Sequence, residues 1–204
     1  GLVCSMLMWG LGWPSTKILT EYATPIHLAV IRFLLTYCTL FLLLIFLKQK
    51  LGISKKGIYK LLLGSIILSA YTMMFLYGIQ FGSPGAGGVL VTTITPIATY
   101  VLTILLAKRK PTTNETIGLW LGLLAACFLM HVWYGIHKIL QSGNIYFFIS
   151  CFLWAILSRI TAKANQYGSP LTFSFWMYGC CFVILLPFAK FDLLFHLIQQ
   201  KEIR

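Results

Sequence analysis

The sequence predicts an all-α integral membrane protein, a polytopic bundle of seven transmembrane helices, and three observations carry that reading. Charged residues make up only 10% of the 204-residue chain and apolar residues 59%, with a mean hydropathy of +0.86. A soluble domain carries about 25% charged and 45–50% apolar residues, so too little polar surface is left here to cover a water-soluble globule. The apolar runs are also long and continuous, without the alternation over about ten residues that marks outer-membrane strands. Finally, the 16 Lys and Arg, against 4 Asp and Glu, gather in short segments between the runs. There they report topology rather than a nucleic-acid partner, and no nucleic acid is expected.

The expected spans follow from Pro, Gly and basic punctuation. Span 1 covers 2–22 and ends before Pro25; span 2 covers 26–47 and stops at Lys48. Span 3, 58–80, lies between the basic segment Lys48–Lys60 and the turn Gly82-Ser83-Pro84, with Lys55 and Lys56 in the loop before it. Span 4, 84–107, starts at Pro84 and stops at Lys108-Arg109-Lys110. Span 5, 116–134, carries Gly118-x-x-x-Gly122 with Ala125 and Ala126, a small-residue face for close packing within the bundle or in a homodimer. Spans 6 and 7 cover 144–164 and 171–189, the latter following Pro170. Beyond them Phe191, Leu194, Phe195 and Ile198 recur at i, i+3, i+4 and i+7, as in an amphipathic surface segment or a connection to further chain.

Lys48, Lys50, Lys55 and Lys56 between spans 2 and 3, and Lys108 to Lys110 after span 4, place those loops in the cytoplasm. The N-terminus is then cytoplasmic, Arg159 and Lys163 fall at the inner end of span 6, and the expected location is a bacterial inner (plasma) membrane. All six cysteines lie inside apolar runs without zinc or CxxC spacing, as small buried hydrophobes, so no metal or cofactor is expected. The chain opens with Gly1 and shows no charged leader region.

Self-similarity organises the spans. At an offset of 145, Ser5 and Trp9 pair with Ser150 and Trp154, Thr16 with Thr161, and Tyr22-Ala23-Thr24-Pro25 with Tyr167-Gly168-Ser169-Pro170. Five spans separate the copies, so the second enters the membrane from the opposite side, as an inverted repeat does. Residues 1–138 are read as a first five-helix repeat and 143–204 as an incomplete second one with two helices and an amphipathic tail. Doubling the unit gives roughly 290 residues and ten spans in a 5+5 arrangement, so the chain is expected to be a fragment of a longer product.

Trp9-Gly10 with Lys17, Pro25 before Ile31-Arg32-Phe33, Tyr77 through Gly85-Ala86-Gly87-Gly88 into Thr95-Pro96, and Gly118 with Gly122 resemble the EamA-type permeases of the drug/metabolite transporter superfamily. The resemblance implies ten helices in two inverted halves. It also implies alternating-access movement of small metabolites, amino acids or drugs, in the direction of export. One departure is Lys108-Arg109-Lys110 before Pro111, where many relatives carry a Glu.

Several residues are candidates for a solute path. Trp9, Trp13 and Trp154 sit near mid-span, where an indole N–H needs a partner, and they either line a wet cavity or pack conventionally. Gly10, Gly12 and Pro14 mark a hinge or a static kink in span 1. Thr92, Thr95, Thr99 and Thr103 form a stripe on span 4 around a second hinge candidate, Pro96, and either back-bond to their own helix or join Tyr71 and Tyr77 along the path. Lys17 and Arg32 either snorkel outward or capture a substrate carboxylate or phosphate. No Asp or Glu lies mid-span, which leaves His131 as the candidate for proton coupling.

No nucleophile–base pair or metal cluster supports catalysis, so an intramembrane lipid-modifying enzyme is the weaker rival and no catalytic residue is assigned. The other rival is a truncated, non-transporting or partner-dependent membrane protein. The expected partners are a small-molecule solute and the lipid bilayer.

Overall fold

The computed structural model describes residues 2–107, 111–129, 133 and 143–189. Among them it contains seven α-helices: α1 Leu2–Tyr22, α2 Pro25–Phe46, α3 Lys55–Phe81, α4 Pro84–Ala107, α5 Thr113–Leu129, α6 Ile145–Thr161 and α7 Pro170–Leu185. Short 3₁₀ turns follow at Ala164–Gln166 and Leu186–Phe188. Pro25, Pro84 and Pro170 each open a helix, where the missing N–H would be unpaired anyway and the fixed φ suits the first turn. Lys48, with φ of 50°, turns the chain out of α2.

Each expected span has its helix, with shifts of about three residues at several boundaries: α5 starts at Thr113, α6 and α7 end at Thr161 and Leu185, and Lys55 and Lys56 form the first turn of α3 instead of loop. Ser54 causes this, because its extended backbone lets its carbonyl accept the Gly57 N–H at 2.8 Å and start the helix early. Among the described residues five helices are long and apolar enough to cross a membrane: Pro25–Phe46, Lys55–Phe81, Pro84–Leu106, Ile145–Gln166 and Pro170–Phe188. The other two expected spans, α1 and α5, fall short of that measure over the described residues. α1 is long enough, but Pro14-Ser15-Thr16-Lys17 and Glu21 dilute its apolar content; α5 is described over only 17 residues. The amphipathic tail, Lys108–Lys110 and His131 lie outside the described residues.

Helix directions follow from side-chain neighbours. Trp13 meets Phe75 and Lys17 meets the Ile79–Gly82 stretch, so α1 and α3 run the same way. Phe147 lies against Gly78, Trp154 against Tyr71, and Leu157 and Ile160 against Gly64, so α6 runs opposite to α3 and therefore to α1. α7 runs opposite to α2, with Tyr178 beside Phe33 and Phe175 beside Tyr37 and Phe41.

α6 wedges between α3 and α4, and α7 packs on α2 and α3. The fully buried Phe147 makes the wedge possible only because Gly78 and Gly87 face it: a Cβ at Gly78 would lie 2.7 Å from the ring. A second core joins Val30 and Phe33 of α2, Leu68 and Leu76 of α3, and Phe173 and Cys181 of α7. The buried Ser65 hydroxyl is satisfied where α3 meets α7: its Oγ donates to Leu61 O at 2.8 Å, with Met177 O at 3.2 Å.

The α2–α3 and α6–α7 connections share one end of the bundle, which carries Lys48, Lys50, Lys55, Lys56, Arg159 and Lys163. They are strapped together by Ser54 N–H to Tyr167 O (2.9 Å), Thr172 Oγ1 to Lys50 O (2.8 Å) and Trp176 Nε1 to Leu51 O (3.0 Å).

Candidate functional site

A ladder of aromatic rings crosses the bundle from α1 to α6. Trp9 stands edge-on to Trp13 at 6.0 Å, Trp13 edge-on to Phe75 at 4.9 Å, Phe75 lies over Tyr71 at 6.0 Å, and Tyr71 meets Trp154 at 4.9 Å. These separations are those of favourable ring pairs. Helical spacing supplies the rungs: Trp9 and Trp13 are one turn apart on α1, as are Tyr71 and Phe75 on α3. The middle of the ladder is closed, with Trp13 at 7% exposure, while its two ends are open, Trp9 at 51% and Trp154 at 39%.

Beside Trp154 lies a cavity of about 230 Å³ between α3, α6 and α7, with Ser158, Thr161, Ser174 and Tyr178 as its polar lining. It sits just below the roughly 300 Å³ at which small-molecule pockets begin. Arg32 stands on the shoulder of the packed face of α2, exposed, and its charge acts on the hydroxyls of both Tyr71 and Tyr178. Among the described residues no carboxylate pairs with it.

Sequence reasoning named Trp9, Trp13, Tyr71 and Trp154 separately, and the fold brings them together, while Arg32 is exposed and does not line the cavity beside Trp154. Phe75 and Tyr178 were missed. Phe75 was recoverable, being one turn beyond Tyr71; Tyr178 stands at the repeat offset from Phe33, whose ring it meets at 5.9 Å.

The remaining candidates lie elsewhere. Tyr77 stacks with Phe81 and Tyr146 in a separate cluster. Thr92 Oγ1 donates to Gly88 O at 2.7 Å and Thr103 Oγ1 to Thr99 O at 2.8 Å, so both satisfy themselves on their own helix. Thr95 Oγ1 is buried beside the Cys151 sulfur, without a well-formed hydrogen bond. Thr92 and Pro96 border a shallow cleft of about 600 Å³ between α4 and α5, across which Gly122 approaches Ile97 while Gly118 faces open space. α1 runs unbroken through Pro14 and α4 through Pro96, and both Gly10 and Gly12 face open space.

Lys17 has a definite structural partner. Its ammonium donates to Ile79 O (2.9 Å), Gln80 O (2.8 Å) and Gly82 O (3.1 Å), using all three N–H groups on the C-terminal end of α3, where the helix dipole is negative. The cation ties α1 to the α3–α4 turn.

Among the described residues no His, Cys, Asp or Glu cluster suited to a metal is present. No curated protein and no solved structure matches the chain. The model of the EamA-like transporter family matches residues 1–131 and 141–202, nearly the whole chain. With its long apolar helices crossed by a half-open aromatic ladder, the chain belongs to the EamA-like transporter family.

Proposed function

We propose that the chain is a multi-pass permease of the inner (plasma) membrane of a bacterium that moves a small metabolite, amino acid or drug by alternating access, in the outward direction. The observation that carries this reading is the ladder from Trp9 to Trp154, closed at Trp13 and open at both ends. Aromatic faces offer apolar contact and weak polar attraction without fixing a solute tightly, which suits passage rather than retention.

Residues 1–138 are proposed as a first five-helix repeat and 143–204 as part of an inverted second one. The antiparallel run of α1 against α6, and of α2 against α7, supports this division, as does a family match that parts between 131 and 141. The basic end of the bundle is assigned to the cytoplasm, with the N-terminus there, by the concentration of Lys and Arg in its two connections.

A second reading, a partner-dependent membrane protein, is favoured by α1, whose only buried residue is Trp13. In the repeat reading, the bare face of α1 is covered by the second repeat's equivalents of α3 and α4.

The test is transport by the intact protein in liposomes, screened over radiolabelled amino acids and aromatic solutes. Trp154→Ala is expected to lower the rate by about tenfold without loss of folded protein. Unchanged transport in Trp154→Ala and Trp9→Ala would remove the ladder from the path.

A further inference from the structure

We infer that the cavity beside Trp154 is a binding subsite for a compact aromatic solute, about the size of benzamide or indole, whose hydrogen-bonding group is held by the hydroxyls of Ser158, Ser174 and Tyr178. The inference rests on the permease reading of the ladder and deepens it to a substrate class.

Two helical stripes build the cavity. On α6, Trp154, Ser158 and Thr161 recur at i, i+4 and i+7, and on α7 Pro170, Ser174 and Tyr178 recur one turn apart, so each helix turns one face to it. Both helices pack on α3, where Gly64 lies against Leu157 and Met177 alike and Leu68 closes the gap between them. Ala164 and Pro170 bring the cavity to the α6–α7 connection at the basic end of the bundle, while Trp154 joins it to the ladder.

The hydroxyls carry the argument. Many hydroxyls on these helices are taken up by their own backbone: Ser15 Oγ donates to Leu11 O at 2.8 Å, Thr36 Oγ1 to Arg32 O at 2.8 Å and Thr161 Oγ1, at the cavity itself, to Leu157 O at 3.0 Å. Ser158, Ser174 and Tyr178 are half-buried, and their hydroxyls have no hydrogen-bond partner among the described residues. Three groups that can each donate and accept thus border one cavity with that capacity unused. A guest carrying an amide, hydroxyl or ring N–H meets them, whereas a purely apolar guest leaves them unpaired.

Size and walls fix the rest of the guest. Benzene fills an apolar protein cavity of about 150 Å³, and the roughly 230 Å³ here adds room for one short substituent or a small fused ring. Trp154, tilted on Tyr71 at 4.9 Å, offers a ring face, and Leu157, Phe173 and Met177 supply apolar walls.

The experiment is equilibrium dialysis of radiolabelled benzamide against the intact protein in lipid nanodiscs, with protein-free nanodiscs as the blank. The competitors are indole, isopropylbenzene, which has the shape of benzamide without its hydrogen-bonding atoms, and anthracene carboxamide, which keeps the amide on a body too large for the cavity. Benzamide is expected to bind saturably and to be displaced by indole, with isopropylbenzene about tenfold weaker, the effect of one or two hydrogen bonds, and the anthracene amide weaker still. Ser158→Ala, Ser174→Ala and Tyr178→Phe combined should weaken benzamide about tenfold and leave isopropylbenzene unchanged. Each change alone should act in the same direction, which keeps the test open if the combined variant folds poorly. Ser158→Leu, which fills the cavity, should weaken both probes.

Equal affinity for benzamide in the wild type and the hydroxyl variants, or tighter binding of isopropylbenzene or the anthracene amide, would overturn the assignment. If benzamide binding were instead lost in Trp9→Ala and kept in the hydroxyl variants, the ladder would stand as the path without this subsite. Absence of saturable binding by every probe would overturn the subsite, while transport by Trp9→Ala and Trp154→Ala decides the permease reading separately.

Discussion

α1 and α6 stand 145 residues apart in a shared pattern, yet the fold treats them in opposite ways. In α6 the residues Phe147, Ser150, Cys151, Ala155 and Leu157 are buried against neighbouring helices. The positions matching them in α1 are Leu2, Ser5, Met6, Gly10 and Gly12, and all are exposed, Leu2 at 76% and Met6 at 58%. The difference lies in what surrounds each helix. α6 is wedged between α3 and α4, with glycines cut to the shape of Phe147, whereas α1 touches the same two helices at an edge. The Trp13 ring and the Lys17 ammonium are the anchors of α1 on α3, and both lie on or beside the proposed path.

The comparison is sharpest at Phe147. Phe147→Ala empties a fully buried site between Trp13, Gly78 and Gly87, and is expected to cost about 3–5 kcal/mol, read as loss of folded protein in a denaturant titration. Met6→Ala, at the position in α1 that matches the buried Cys151, should change stability by less than about 0.5 kcal/mol. Equal losses would mean that α1 is as firmly packed as α6 in the protein as it works.

Between these extremes lies Lys17→Met. It removes three hydrogen bonds from a cation to the end of α3 and leaves the carbonyls of Ile79, Gln80 and Gly82 without that donor. The expected cost is about 1.5–3 kcal/mol. A neutral result would return Lys17 to the role of a free charge available to solute.

Much of the helical framework was legible in the chain because its punctuation is covalent. Pro25, Pro84 and Pro170 each follow a small or polar pair, Ala23-Thr24, Gly82-Ser83 and Gly168-Ser169, and open a helix, whereas Pro14 and Pro96 lie in apolar runs and sit inside theirs. The residues of the ladder were legible as types, since mid-span Trp needs an explanation, but their convergence was not. Trp13 reaches Phe75, and Tyr71 reaches Trp154, through contacts 62 and 83 positions apart in sequence. Lys17 illustrates the same limit. Its partners are backbone carbonyls, which have no signature in side-chain identity, so a snorkelling cation, a ligand and a helix cap read alike until α3 is in place. The threonine stripe was ambiguous for a local reason. Thr92 and Thr103 carry the same hydroxyl whether it faces a solute or a carbonyl one turn back, and both donate to their own helix.

The central claim is that solute runs along the Trp9–Trp154 ladder and not through the larger but shallower cleft between α4 and α5. Photo-crosslinking the intact protein with a diazirine derivative of indole, followed by mapping of the adducts, tests it most directly. Adducts at Trp9, Trp13, Tyr71 and Trp154 are predicted, with competition by unmodified ligand. Adducts confined to Thr92, Tyr100 and Leu119 would place the path in the α4–α5 cleft and contradict the account.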